Sequence, residues 1–179
     1  MAKQVDATYG NALFELAVEE NKIDELYEEA KALVKVISDN EDLIKLLGHP
    51  HVAKEDKVKV VKNTFDGRIS DDLTGLLVMV VEKNHARDIN HILEYFIKQV
   101  KEYKKIGVVK VTTATELSDT QKAAVEKRIL ETTAYESLEV DYHQDKTIIG
   151  GMIIRIADRV VDSSIRTKLD GMSKALAGA

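Results

Sequence analysis

The sequence predicts a mainly α-helical protein in which an N-terminal six-helix bundle is followed by a small α+β C-terminal domain. Three observations carry this prediction. Apolar residues recur at helical spacing as far as about Lys105, the apolar period changes to two at Gly107, and the breaks between periodic segments are only a few residues long. We therefore place the domain boundary at 105/106, with the bundle over 1–105 and the α+β domain over 106–179.

The first two segments show the clearest helical patterns. In the first, one face collects apolar residues at i, i+4, i+7 and i+8 spacing, namely Val5, Tyr9, Ala12, Leu13, Leu16 and Ala17. The second segment repeats the pattern from Ile23 to Ile37. Both are predicted to be helices that bury this face in the core.

Capping and stop signals delimit two further helices. Ser38 with Glu41 fits a capping box that opens a short third helix over 41–47, and Gly48-His49-Pro50 ends it. The fourth helix ends at Asp66-Gly67. Its apolar residues are Val58, Val61 and Phe65.

The fifth segment, Leu73 to Val81, is apolar around most of its circumference. It follows Ser70-Asp71-Asp72, whose negative charges favour a helix start. Such a helix is either central in the bundle or contacts something on a second side. A buried strand also fits the composition, but the flanking helical patterns favour a helix. The sixth helix runs from Ile89 to Tyr103.

The C-terminal part alternates strands and helices. Ser118 with Gln121 forms a second capping box, which opens a helix. Gly150-Gly151 allows another segment to approach closely, and Asp162 and Ser163 are N-cap candidates for the last helix. The predicted elements are a strand over 108–113, a helix to about 132, a strand over 138–143, a strand over 148–156, a return strand over 159–161 and a helix over 163–176.

Composition excludes several classes of function. The net charge of −5 gives no nucleic-acid footprint, and the absence of Cys excludes disulfides, thiolate catalysis and Cys-based zinc sites. The longest apolar run, Leu76 to Val81, is far shorter than the ~20 residues of a membrane helix. Residues 1–105 hold 16 Lys and Arg against 20 Asp and Glu. This acidic balance is compatible with a basic partner segment, but charge alone favours an ordinary solvated surface.

No pattern predicts a catalytic, cofactor-binding or metal site. His49 and His51 have a metal-like spacing but lack nearby acidic ligands, so Pro50 indicates a helix stop instead. Ser163 and Ser164 follow an acid without a base to activate them. Gly150-Gly151 lacks both the dinucleotide-binding pattern and the Walker pattern.

A second apolar stripe on the first helix gives a better clue to function. Opposite the Val5–Leu16 face, it combines small and large apolar residues, namely Ala7, Gly10, Phe14 and Val18. Together with the apolar fifth helix, the stripe predicts docking of a partner helix in a groove. The alternative is that the first helix simply lies between neighbours within the bundle.

Two motifs resemble those of the delta subunit of bacterial and chloroplast ATP synthase, a family related to the mitochondrial oligomycin-sensitivity-conferring protein. Residues 7–17 resemble the opening helix of the family, and residues 150–169 resemble its signature. That signature has a Gly pair, alternating apolar residues, an Asp-x-Ser and a basic-apolar helix start. Ala157 and Ser163 stand where Gly is frequent in the family. The resemblance covers essentially the whole chain.

This resemblance implies a non-catalytic stator subunit of the peripheral stalk. It implies that helices one and five bind the N-terminal helix of the alpha subunit, and that the C-terminal domain meets the b subunit stalk. The expected contact residues are Ala7, Tyr9, Gly10, Leu13, Phe14, Val18, Leu76, Met79 and Val80. The expected structural signature residues are Gly150, Gly151, Asp162, Ser164 and Arg166.

The resemblance also sets expectations for location and chemistry. No cofactor, small-molecule substrate, nucleic acid or direct membrane insertion is expected. The acidic residues near the start of the chain fit a bacterial source, which implies a peripheral position on the cytoplasmic face of the cell membrane. Two alternatives remain at this point: a helical scaffold of another complex, and a small metal-dependent hydrolase that uses His49 and His51.

Overall fold

The computed structural model describes residues 2–177, and the chain forms two compact units that divide after Val100. The predicted mainly α fold class is confirmed. Within the described residues, six α-helices precede the first strand. They are α1 (Ala2–Glu19), α2 (Ile23–Asp39), α3 (Glu41–Leu47), α4 (Lys54–Phe65), α5 (Asp71–Glu82) and α6 (Ile89–Tyr103). Because α6 crosses the division, the helix itself leads from one unit into the other.

One continuous apolar core holds the N-terminal unit together. Its members come from every one of the six helices and include Leu13, Leu26, Leu77 and Phe96, none of which is more than 2% exposed. Full burial of such a side chain contributes roughly 1.5–3 kcal/mol. The apolar periodicity in the sequence therefore corresponds to the faces that meet in this core.

The ends of the helices agree with the sequence at most positions and differ at one. Gly48 follows the last residue of α3, and Ser70 caps α5 by accepting a hydrogen bond from Leu73 N at 3.5 Å. The predicted capping box at Ser38 and Glu41 is wrong, because α2 continues through Asp39 and Asn40 is the N-cap of α3. Burial of Ile37 keeps the last turn of α2 helical past Ser38.

The C-terminal unit is a four-stranded sheet with two helices. Its elements are β1 (Ile106–Thr113), α7 (Asp119–Thr132), β2 (Ser137–Gln144), β3 (Met152–Ile156), β4 (Arg159–Asp162) and α8 (Ile165–Ala177). The strand order is β2-β1-β3-β4, with β1 and β2 parallel and the other pairs antiparallel. The predicted capping box at Ser118 and Gln121 is present at the start of α7.

The core of this unit lies between the sheet and α7. Val109 and Val111 of β1 are 0% exposed and pack with Ile129 of α7. Val109 is in register with Val140 of β2 on one side and Ile156 of β3 on the other, so these three adjacent strands present apolar residues to the same helix. The period of two in the sequence thus marks a sheet with one face covered by a helix.

The third strand is shorter than predicted. The sequence predicted it over 148–156, but it begins at Met152, because residues 146–148 form a 3-10 turn. Ile149 and Gly151 then take left-handed backbone conformations, with φ of 68° and 78°. These two residues redirect the chain before β3, which an apolar run by itself does not reveal.

Candidate functional site

Helices α1 and α5 lie antiparallel, and a groove runs between them. Between α1 and α2, Lys22 Nζ lies 3.3 Å from Asp72 Oδ2 at the start of α5. At the other end, the ring of Tyr9 lies 6.4 Å from the ring of His85, just after α5. The groove has a volume of about 350 Å³. Its lining residues are Tyr9, Ala12, Leu13 and Leu16 from α1, and Asp71, Asp72, Gly75, Leu76 and Met79 from α5.

The groove is apolar along its floor and open to solvent. Leu13 and Leu76 are buried beneath it, whereas Met79 is 51% exposed on its wall. An exposed Met beside buried Leu residues gives an adaptable apolar surface that the chain itself does not cover. A surface of this kind suits the apolar face of a helix.

One end of the groove is acidic. Asp71 and Asp72 stand in the first turn of α5, which Ser70 caps and which Glu29 of α2 supports by accepting a hydrogen bond from Ser70 N at 3.0 Å. Lys22 is engaged here, because Glu20 and then Asp72 bind its ammonium group and raise its pKa. Among the described residues no basic group is in ion-pair distance of Asp71, so this end keeps negative charge.

The predicted contact residues divide into three groups in the structure. Tyr9, Leu13, Leu76 and Met79 line the groove. Val80 is 1% exposed and lies inside the bundle. The remaining four, Ala7, Gly10, Phe14 and Val18, lie on the other side of α1 and are half-buried or buried.

This second stripe of α1 packs within the bundle, as the alternative interpretation had it. A side chain at Gly10 would collide with the ring of Tyr95 in α6, at 2.5 Å from Cδ1. Phe14 packs against the buried core. The small residue in this stripe therefore admits α6, and the open face of α1 is the one that carries Ala12 and Leu16.

The sequence missed three uncharged groove residues, Ala12, Leu16 and Gly75. The helical pattern correctly placed Ala12 and Leu16 on one face of α1 but predicted that they are buried in the core. In the structure Ala12 is exposed and Leu16 is half-exposed. For Gly75, the available signal was the presence of a glycine inside α5, the most apolar of the helices.

The C-terminal unit carries a second uncovered apolar surface, on α8. None of the side chains described in α8 is buried. Its apolar residues form a stripe at i, i+4, i+7 and i+11 spacing. This α8 stripe consists of Ile165, Leu169, Met172 and Leu176, with exposed fractions of 42%, 50%, 65% and 81%.

The signature residues fix the start of α8 against β3. A side chain at Gly151 would meet Ser163 O, and one at Gly150 would lie 2.7 Å from Ile165 Cδ1. Ile165 N donates to Gly150 O at 2.9 Å. Ser164, rather than the predicted Ser163, caps the helix by accepting from Thr167 N at 3.2 Å, while Ser163 Oγ donates to Met152 O at 2.8 Å.

The remaining signature residues act beside this cap. Asp162 accepts hydrogen bonds at 2.8 Å from Ser164 N and from Thr167 Oγ1, and these bonds hold its pKa below the usual value. Arg166 is exposed in the first turn of α8. The signature residues therefore fix the position of α8, the helix that carries the α8 stripe.

The two histidines considered as metal ligands lie in the turn after α3. His49 Nδ1 accepts a hydrogen bond from His51 N at 3.3 Å, and both side chains are exposed. Across the described residues, no three His, Asp or Glu side chains lie together in a way that could hold a metal ion. Among the helices of residues 2–177, none has the length and apolar character that a membrane span requires.

Comparison with known proteins shows the family of the chain. The family model described as ATP synthase delta (OSCP) subunit matches residues 5–176. The chain is 48% identical to ATP synthase subunit delta of Lachnoclostridium phytofermentans over 98% of this chain and 97% of that protein. It is 31% identical to ATP synthase subunit delta of Brevibacillus brevis over 95% of this chain and 97% of that one.

A solved structure supports the fold as well. A chain in the cryo-EM structure of the Toxoplasma gondii mitochondrial ATP synthase hexamer superposes with a TM-score of 0.72, at 17% identity, over 96% of this chain and 97% of that one. The family match spans nearly the whole sequence. It favours the ATP synthase subunit over the two alternatives, a helical scaffold of another complex and a metal-dependent hydrolase. The chain belongs to the ATP synthase delta (OSCP) subunit family, whose members are non-catalytic peripheral-stalk components of the ATP synthase complex.

Proposed function

We propose that this subunit tethers the catalytic head to the b subunit stalk through two separate surfaces. The groove between α1 and α5 binds the N-terminal helix of the alpha subunit, and the C-terminal domain over 106–179 binds the end of the stalk. The observation that carries the proposal is the open apolar groove with the exposed side chain of Met79 on its wall.

A tether of this kind answers a mechanical requirement. The rotor turns inside the head, and the reaction torque would spin the head as well unless it is held. The contact therefore needs a slow dissociation rate under load, which burial of apolar surface provides. The groove offers a continuous apolar floor between two helices, and helix-in-groove docking is a recurring way to bury such a surface.

The α8 stripe supports the stalk side of the proposal. An isolated helix of fewer than ~12–15 residues is marginal in water, and α8 has 13 residues with no buried side chain among those described. Its apolar face gains stability only when another surface covers it. We assign that surface to the end of the b subunit stalk, with Met172 near the middle of the contact.

The location follows from the assembly. We place the subunit on the cytoplasmic face of a bacterial cell membrane, held there through the other subunits of the ATP synthase. Both proposed surfaces recognise protein helices, so no lipid contact enters the proposal.

The groove is tested by titration with a peptide of the alpha-subunit N-terminus. Met79→Asp should weaken binding at least tenfold, because it places a charge against the apolar face of the partner helix. Val36→Asp is the matched control, since Val36 is exposed to a similar extent, 47%, on α2 and outside the groove. Phe14 is a poor probe, because it packs against the core and a charge there would destabilise the bundle.

Circular dichroism establishes that both variants are folded before the titration. Failure of the wild-type chain to bind the peptide would remove the alpha subunit from the proposal. Equal binding by the Met79→Asp and wild-type chains would move the contact away from this groove.

A further inference from the structure

Gly75 has no explanation inside the chain itself. It lies within α5, where glycine is a poor helix former because it has more conformational freedom to lose than any other residue. Its φ is not in the left-handed region, unlike that of Gly67 and Gly151. Apart from its two chain neighbours and the adjacent backbone of α5, no described residue has an atom within 4 Å of the position that a Cβ on Gly75 would occupy.

Other glycines of the same fold show what a required glycine looks like. At Gly10 a Cβ would lie 2.5 Å from the ring of Tyr95, and at Gly107 it would lie 2.7 Å from the ring of Tyr135. Each of these positions admits a neighbour from the chain. Gly75 leaves the same kind of space, but the space is empty.

That space opens into the groove between α1 and α5. Gly75 lies between Asp71 and Met79 on the face of α5 that lines it, next to the buried Leu76 of the floor. The absence of a side chain at Gly75 therefore lowers the wall of the groove midway along α5. A helix lying in the groove meets bare backbone at this point.

The charges around the groove indicate the chemistry of that helix. Asp71 and Asp72 make one end acidic, and Lys22 is engaged with Glu20 and Asp72. The apolar floor requires an apolar stripe on the partner, and the acidic end favours a Lys or Arg beside that stripe. The occupant that fits is a basic amphipathic helix.

We propose that Gly75 is the point of closest approach between the subunit and this partner helix, and that it determines which helices the groove accepts. The inference rests on the proposed function, because it takes the N-terminal helix of the alpha subunit as the occupant. Interaxial distances between packed helices depend on the side chains at the contact. A glycine at that contact lets the partner backbone lie directly on α5, which extends the buried area along both sides.

Gly75→Ala distinguishes a role of Gly75 in partner binding from a role in the fold. The first role predicts that the free chain becomes more stable, and the second predicts that it becomes less stable. The added methyl group has room in the free chain and raises helix propensity, so the melting temperature should rise by roughly 2–8 °C. The same methyl group occupies the contact point, so binding of the alpha-subunit N-terminal peptide should weaken at least tenfold. Calorimetry on the full chain measures both the melting temperature and the affinity for the peptide.

Gly171→Ala is the matched control. Gly171 also lies inside a helix, α8, and a Cβ there would likewise meet nothing within 4 Å among the described residues. This variant should gain thermal stability and bind the head peptide as the wild type does. Gly75→Leu, a larger group at the same site, should abolish peptide binding.

The outcomes distinguish this inference from the function on which it rests. If the wild type binds the peptide and Gly75→Ala binds it equally well, the inference is overturned while the tether stands. If Gly75→Ala is less stable than the wild type, the glycine serves the fold and the inference is overturned as well. If the wild type does not bind the peptide, both the inference about Gly75 and the proposed function are overturned. Wild-type binding that weakens at higher ionic strength supports the basic character of the partner helix.

Discussion

At the scale of single residues, Ala157 occupies a backbone conformation that suits glycine better. It lies in the turn between β3 and β4 with φ of 48°. In this left-handed region an L-residue brings Cβ close to the following carbonyl oxygen, at a cost of roughly 1–2 kcal/mol. The family resemblance had already marked this position as one where glycine is frequent, and the turn geometry gives the physical reason.

We therefore expect Ala157→Gly to stabilise the chain by about 0.5–1 kcal/mol. The substitution relieves the left-handed strain, and the greater freedom of glycine in the unfolded chain offsets part of that gain. Urea unfolding monitored by circular dichroism measures the change.

Ala134→Gly provides the control for this prediction. Ala134 is exposed and is not among the described residues with positive φ, so glycine there only adds freedom to the unfolded chain. That variant should lose about 0.5–1 kcal/mol. A loss of stability in Ala157→Gly as well would show that the turn is not strained.

At the scale of elements, the start of α8 depends on a small network of polar groups. Asp162 accepts from Ser164 N and Thr167 Oγ1, and Ser164 in turn accepts from Thr167 N. Ser164 is 1% exposed, so its hydroxyl group is removed from water and satisfied within the network. No side chain described in α8 is buried, and the position of the helix therefore rests on this cap and on the glycine pair.

The network makes part of the stability depend on pH. The hydrogen bond from Ser164 N, followed by those from the Ser164 and Thr167 side chains, lowers the pKa of Asp162 below its ordinary value of 3.8. A lowered carboxyl pKa contributes stability above the unfolded pKa, and this contribution disappears as the pH falls through the folded pKa. Asp162→Asn should therefore unfold at lower urea than the wild type at pH 7, with a difference that shrinks below pH 3.8.

Glu116→Gln is the control for this pH dependence. Glu116 is exposed in the loop before α7 and has no role at the start of α8. Its urea midpoint should follow that of the wild type at both pH values. A difference between Asp162→Asn and wild type that stays constant from pH 7 to pH 3 would contradict the carboxylate as its source.

At the scale of the whole molecule, each unit carries its own core and its own uncovered surface. The core of the first unit draws on residues from Leu13 to Val100, and that of the second on Val109, Val111 and Ile129. The groove lies in the first unit and the α8 stripe in the second. A tether requires both surfaces, and the independence of the cores means that one can be changed without the other.

We accordingly expect two substitutions to abolish the same activity by different routes. Met172→Asp should leave binding of the alpha-subunit peptide unchanged, because Met172 lies on the α8 stripe. Met79→Asp should lose that binding and keep binding to the end of the b subunit. Neither variant should restore coupled ATP synthesis to membranes stripped of the subunit, whereas the wild type should.

Val36→Asp, outside both surfaces, should restore coupling and thus controls for the added charge. Full restoration by Met172→Asp would show that the α8 stripe does not contact the stalk. Loss of peptide binding in Met172→Asp would show that the two surfaces are not independent.

Much of the fold followed from local patterns. Apolar spacing predicted α2 and α6 closely, since one buried face leaves a period of 3.6 residues. The capping box predicted the start of α7 at Ser118, because the box satisfies backbone groups that any helix start exposes. The same pattern at Ser38 failed, because a helix that buries Ile37 continues past a possible cap.

The candidate site was predicted only in part. The sequence marked α1 and α5, and it placed Tyr9, Leu13, Leu76 and Met79 among the contacts, all of which line the groove. It also placed Gly10 among the contacts, but Gly10 does not line the groove, because the ring of Tyr95, far along the chain, fills the space beside it. Periodicity says which residues share a face, but not which neighbour covers it.

Local sequence patterns predicted the order of the α-helices and strands, and the motifs indicated the family. Only contacts across the fold show that Gly10 is covered and Gly75 is open, and that no side chain of the α8 stripe is buried among the described residues. The physical reason is the range of the interactions. Helix and strand periods are set by residues a few positions apart, whereas the cover over each face comes from contacts between elements distant in sequence.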